Sequence, residues 1–181
     1  MARMKKRFDI APRFIGFATV VFLSAVAHGQ INPIPNWLID YDGFLTNAAK
    51  VAILRNEHRV TEDQFIGMAK EPDTIVFDAR SDDKYKALHV NGARHLSFPE
   101  ITEAELAKMF PSKTTRILIY CNNNFLNAPN TLATKAPAAS LNIHTFNTLY
   151  NYGYMNVYEL GPLIDIRTAK LEFEGTQVKA P

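Results

Sequence analysis

Along this chain the apolar positions recur at two different periods, and each change of period marks an element. From Phe44 to Arg55, apolar side chains at Leu45, Ala48, Ala49, Ala52 and Ile53 stand close to helical spacing, which predicts a short N-terminal helix. Thr61-Glu-Asp-Gln64 is a capping box, so a second helix is expected from about Thr61 to Lys70, stopped by Pro72. Asp73-Thr-Ile-Val-Phe-Asp78 is a continuous β-branched and aromatic run, the pattern of a strand buried on both faces. The alternation then repeats. A polar helix is predicted from about Ser81 to Leu88, a turn at Asn91-Gly92, an extended piece from Ala93 to Leu96, and a helix opened by Thr102-Glu-Ala-Glu105. Thr115-Arg-Ile-Leu-Ile-Tyr-Cys121 is the strongest strand. After a long polar loop, Ile143, Phe146, Leu149 and Tyr150 form a helical stripe closed by Gly153, and Asn156-Val-Tyr-Glu-Leu160 is a last strand. Strands separated by helices of roughly ten residues imply parallel β-α-β units, an α/β fold.

The first 29 residues follow neither period. Arg3, Lys5, Lys6, Arg7 and Arg13 precede an unbroken apolar run from Phe14 to Ala27, with small residues at Ala25, Ala27 and Gly29. This order predicts a secretory signal peptide, residues 1–29, cleaved near Ala27 or Gly29. An uncleaved anchor would need roughly 20 apolar residues. The mature protein is then expected to be periplasmic or secreted, touching the membrane only through the signal peptide during export. Without residues 1–29, 15 Lys and Arg face 17 Asp and Glu, a net charge of −2 where the whole chain has +2. The basic balance therefore belongs to the leader, and no nucleic-acid partner is expected. The remaining organisation reads as an extension with a short helix at 30–57, a single α/β domain at 58–165 and a C-terminal tail at 166–181.

One cysteine among 181 residues rules out an intramolecular disulfide framework and any zinc site built on two or more thiolates. His58, His89, His95 and His144 lack ligand spacing, and Asp40-Tyr-Asp-Gly43 lacks the distal ligands of a calcium loop, so no metal is expected. Cys121 is the last residue of the most apolar strand. In open α/β sheets ligands bind outside the carboxyl ends of the strands, where loop amides converge on an anion. Two readings are open at this point: a nucleophilic thiol at the sheet's functional edge, or a small core hydrophobe at a strand end.

Four segments in order resemble the rhodanese-like family. Asp73-Thr-Ile-Val-Phe-Asp-Ala-Arg80 is similar to its strand ending in Asp-x-Arg. Tyr85-Lys-Ala-Leu-His-Val-Asn-Gly-Ala-Arg-His-Leu96 resembles the Gly-His-Ile-x-Gly-Ala-x-Asn-Ile segment. Ile117-Leu-Ile-Tyr-Cys121 resembles the strand that delivers the active cysteine, and Gly153-Tyr-Met-Asn-Val-Tyr-Glu-Leu-Gly161 the closing Gly-Tyr-x-x-Val-x-x-Leu-x-Gly. The resemblance spans roughly residues 58–162. It implies a three-layer domain with a central parallel sheet flanked by helices. It also implies a sulfurtransferase that moves sulfane sulfur through a Cys121 persulfide, taking it from a small donor such as thiosulfate or a persulfide and passing it to a thiol acceptor, without a cofactor. The implied persulfide cradle is the loop Asn122, Asn123, Asn124, Phe125, Leu126 and Asn127, with Asp78 and Arg80 as structural support.

That loop departs from the family pattern. It carries no positive charge, and the 32 positions from Cys121 to Gly153 leave room for an inserted segment before the last helix. Lys135 is the only cation in the insertion, either bending over the site or solvated at the surface. Asn127 stands where the phosphatase relatives of the fold need the arginine of Cys-x5-Arg. The asparagines can hold a neutral sulfur substrate through their amides or serve as turn formers. A second function class therefore stands beside the enzyme: a catalytically weak rhodanese-fold module that binds a periplasmic protein partner.

Overall fold

A computed structural model describes residues 34–128 and 131–178. The segment read as a signal peptide lies outside these residues. The chain divides into two units, Met1–Trp37 and Leu38–Pro181; of the first, residues 34–37 are described and contain no helix or strand.

The elements of the second unit follow the alternation. Helix α1 (Tyr41–Glu57) leads into strand β1 (Arg59–Val60), α2 (Glu62–Ala69), β2 (Thr74–Asp78), α3 (Asp82–Ala87), β3 (His89–Val90), β4 (Arg94–His95) and α4 (Glu103–Met109). Strand β5 (Arg116–Ile119) opens the second half, followed by β6 (Phe125–Leu126), α5 (Leu141–Asn151), β7 (Val157–Leu160), β8 (Ile164–Asp165) and β9 (Phe173–Glu174). The local signals act where the sequence places them. Thr61 Oγ1 accepts from the Gln64 N–H while Gln64 Oε1 accepts from the Thr61 N–H, closing the capping box of α2. Gly153 takes φ +83° just past α5, a conformation that favours glycine.

Five strands form one parallel sheet in the order β1-β7-β5-β2-β4. β5 lies at its centre, with Ile117 beside Ile75 of β2 and Val157 of β7. Period-two alternation sends its side chains to two cores, making the molecule three-layered. Ile117 and Ile119 join Phe77, Phe110, Phe146 and Leu149 under α1, α4 and α5. Leu118 and Tyr120 join Val76, Phe65, Phe125 and Leu160 on the side of α2. The extension and the tail both pack on this framework. α1 buries Val51 in the first core, and its Arg55 guanidinium holds the buried Glu159 carboxylate of β7. β9 pairs antiparallel with β3, placing Glu174 beside His89.

Candidate functional site

Cys121 continues β5 in extended conformation (φ −150°, ψ −175°), so it points to the face of Ile117 and Ile119, where α5 begins. Its sulfur lies 3.4 Å from Ser140 Oγ at the start of α5, and the residue is 1% exposed. The chain turns immediately through a 3-10 turn at Asn122–Asn124. Asn124 organises this turn. Its Oδ1 accepts from the Cys121 N–H (2.9 Å) and from Asn142 Nδ2 (3.0 Å), while its Nδ2 donates to Leu160 O at the end of β7 (2.6 Å). The Asn124 N–H donates to Cys121 O (3.1 Å) and faces the Cys121 side chain, and the Phe125 N–H donates to Asn122 O. The Asn122 and Asn123 N–H groups, first of the turn, have no acceptor among the described residues. Two buried amide oxygens of the same cluster, Asn122 Oδ1 and Asn142 Oδ1, also lack a partner among the described residues.

The inserted segment is fastened over this turn by the other asparagines. Asn122 Nδ2 donates to Ala133 O (3.0 Å). Asn123 and Lys135 exchange two bonds, Nδ2 to Lys135 O (2.8 Å) and the Lys135 N–H to Asn123 Oδ1 (3.0 Å). The Lys135 side chain is exposed and forms no hydrogen bond or ion pair among the described residues; its backbone, not its charge, is what the site uses. Phe125 is buried, its ring edge-on to Tyr120 and Phe173, and Leu126 is exposed. β6 is drawn away to pair with β8, and Asn127, at φ +64°, donates to the Asp165 carboxylate (2.9 Å). Of the six residues read as a cradle, Asn122, Asn123 and Asn124 surround Cys121, whereas Phe125, Leu126 and Asn127 lead away from it.

Asp78 and Arg80 stand on the opposite face of β5. The Arg80 Nη2 donates to Asp78 Oδ2 (2.5 Å) and to Leu88 O (2.6 Å), and its Nη1 to Thr131 O (3.4 Å) in the insertion. Tyr120 Oη donates to Asp78 Oδ2 (2.5 Å) and accepts from the Val90 N–H (3.0 Å). Burial, reinforced by the Asp78 charge, pushes the Tyr120 hydroxyl well above its ordinary pKa, so it stays a donor. Arg80 is thus spent on a carboxylate and on carbonyls of the framework. Sequence reasoning did not find Ser140, Asn142 or Tyr120. Ser140 stands in the N-cap position before an apolar stripe, which is a usable signal; the pairing of Tyr120 with Asp78 follows from alternation only once the sheet order is known.

No cluster of His, Cys, Asp and Glu suited to a metal occurs among the described residues. A family model described as "Rhodanese-like domain" matches residues 61–161, more than half of the chain. No curated protein matches it. Among solved structures, the BH2092 protein from Bacillus halodurans is 21% identical, covering 74% of this chain and 88% of its own, with a TM-score of 0.47. A thiosulfate sulfurtransferase from Pseudomonas aeruginosa is 18% identical over 75% of this chain and 24% of its own, TM-score 0.47. A rhodanese with anions from E. coli is 18% identical over 56% of this chain and 98% of its own, TM-score 0.36.

Proposed function

This chain belongs to the rhodanese-like domain family, and on that premise we propose that it is an exported sulfurtransferase working through Cys121. One observation carries the reading: Cys121 stands two residues past the end of the central strand, and the backbone N–H groups of Asn122 and Asn123 directly after it have no acceptor among the described residues. In the reaction the Cys121 thiolate attacks the outer sulfur of a sulfane donor. With thiosulfate, the S–S bond of the donor breaks and sulfite departs with the bonding pair, leaving a persulfide on Cys121. An acceptor thiolate then attacks the outer persulfide sulfur, and Cys121 leaves as the thiolate. The Asn122 and Asn123 N–H groups supply hydrogen bonds to the anionic sulfur, and Ser140 Oγ supplies a third contact. Phe125, Leu126 and Asn127 serve as a tether for the loop, and Asp78 with Arg80 as support from behind. The donor is small, because the thiol is buried and the insertion must shift to admit it. With no cation in Asn122–Asn127, a dianion is a poor donor, and turnover with thiosulfate and cyanide is expected to be slow.

Burial of Cys121 favours a second reading, that of a binding module for a protein partner in the exported compartment, in which the thiol is structural. Intact-mass measurement of freshly reduced protein after incubation with thiosulfate or a low-molecular-weight persulfide separates the two. Gain of one sulfur atom that cyanide removes, absent in Cys121→Ser, supports the transferase. No gain with either donor, in protein shown to be folded, overturns it in favour of the module. Export is tested by sequencing the N-terminus of periplasmic protein, which should start near His28 or Gln30; full-length chain held in the membrane fraction would overturn it.

A further inference from the structure

Helix α1 carries apolar residues on two sides, and among the described residues only one of these sides is covered. Val51 and Leu54 face the domain. Opposite them Tyr41, Leu45, Ala49 and Ala52 are all exposed and fall within about 80° of arc at 3.6 residues per turn. Ile53, 70% exposed, borders this face, and Leu38 and Ile39, both above 70% exposed, extend it beyond the helix start. The stripe is bordered by exposed polar residues, Asp42, Thr46, Lys50 and Asn56, and an exposed apolar patch with a polar rim marks an interaction site.

We propose that this face is covered by the same face of a second copy of the chain, the two α1 helices packing antiparallel about a two-fold axis at the level of Thr46 and Asn47. The stripe is close to a palindrome about that point. Tyr41 of one copy meets Ala52 and Ile53 of the other, and Leu45 meets Ala49, so large residues face small ones as an isologous interface requires. The alanines also let the helix axes approach to roughly 8 Å, the near end of the usual range. Charge fits the same axis. Asp42, Thr46 and Lys50 form an i, i+4, i+8 row that begins at the edge of the stripe and winds about 80° away from it. The long Lys50 side chain can span that distance, and an antiparallel pair brings like flanks together. Asp42 of each copy then lies across from Lys50 of the other, giving two ion pairs per dimer. Both side chains are exposed, and neither has an ion pair within the chain among the described residues. A lipid surface fits less well. Of the nearby cations Arg55 and Arg59 point to Glu159, which leaves Lys50 against Asp40, Asp42 and Glu57.

Sedimentation equilibrium on the protein as recovered from the cell, its N-terminus read by mass, tests the proposal. The wild type should be a dimer. Leu45→Glu, at an exposed position, should raise the dissociation constant by roughly a hundredfold without changing the circular-dichroism spectrum. Asp42→Lys or Lys50→Asp alone should raise it about tenfold, and the two together should restore it to within about threefold of wild type. A wild type that is monomeric at every concentration reached overturns the proposal, whether or not it binds neutral or anionic vesicles. A dimer indifferent to Leu45→Glu, or a double charge swap no tighter than the singles, overturns it as well.

Discussion

Replacing Asn124 by alanine removes the one side chain that joins the end of β5, the end of β7 and the start of α5. Three groups of buried residues lose their partner: the Cys121 N–H, Asn142 Nδ2 and Leu160 O, in residues that are 1%, 2% and 0% exposed; the half-buried Pro162 O loses a longer contact (3.4 Å). A buried polar group left unsatisfied costs about 1–3 kcal/mol. The vacated carboxamide volume is large enough for a water to re-pair part of the set, so the low end applies, about 3 kcal/mol in total. For a domain of this size that is a loss of roughly 6–12 °C in Tm. Scanning calorimetry reads the loss, and iodoacetamide labelling of the native protein should show faster modification of Cys121, because the turn that buries it has lost its tie. Asn124→Asp provides the contrast. It keeps the acceptor for Cys121 but sets a buried carboxylate against Leu160 O, an arrangement that raises the carboxyl pKa in the folded state. Ionisation therefore penalises the native state, and the deficit relative to wild type should shrink as pH falls through that raised value. A Tm loss below about 3 °C for Asn124→Ala, with Cys121 labelling unchanged, would refute the view that this side chain holds the site together.

Tyr120→Phe deprives Asp78 Oδ2 of a donor and the Val90 N–H of an acceptor, and should cost about 1–3 kcal/mol in urea titration while leaving the yield of Cys121 persulfide unchanged, since the hydroxyl lies on the other face of β5. Hydrogen bonds from the Arg167 side chain, then from its backbone N–H, hold the Asp165 carboxyl well below the usual carboxylate range. Its stabilising contribution is present above the unfolded value near 3.9 and fades as pH falls through the depressed one, so Arg167→Ala should return the NMR titration of Asp165 toward about 3.9. Gly175 sits at φ +129° with space for a Cβ only 2.5 Å from Ala87 O, so Gly175→Ala should accelerate hydrogen exchange at Thr176 and Gln177, which donate to Lys86 O and Ala87 O, without affecting the amides of β5.

The parts of the fold legible in the sequence are those where one local rule decides the outcome. The Thr61 and Gln64 pair fixes the start of α2, Gly153 the end of α5, and the apolar runs of β2 and β5 the centre of the sheet. Boundaries drift where tertiary partners intervene. Thr115 to Cys121 reads as a single strand, yet ladder pairing stops at Ile119, and the Cys121 N–H is given to the Asn124 side chain instead. β1, β3, β6, β8 and β9 are two residues each, too short to carry a period, and exist because a neighbouring backbone is available. The site follows the same division. Cys121 and the three asparagines after it are a local signal, whereas Ser140 and Asn142 reach it through the closure of an insertion whose fastenings are side chain to carbonyl bonds with no spacing rule.

Those fastenings bear on how such a site handles sulfur. A loop rich in Arg or Lys would neutralise an incoming anion with charge; here the loop offers amides, and three of its asparagines are engaged in holding the turn and the insertion. A charge entering this space would shed its water and meet dipoles alone, which is costly unless several converge. A neutral donor, such as a protonated persulfide, sheds far less. If the chain works as proposed, burial would shield a Cys121 persulfide from water at the expense of speed, since admitting a donor requires loosening the bonds from Asn122 to Ala133 and between Asn123 and Lys135.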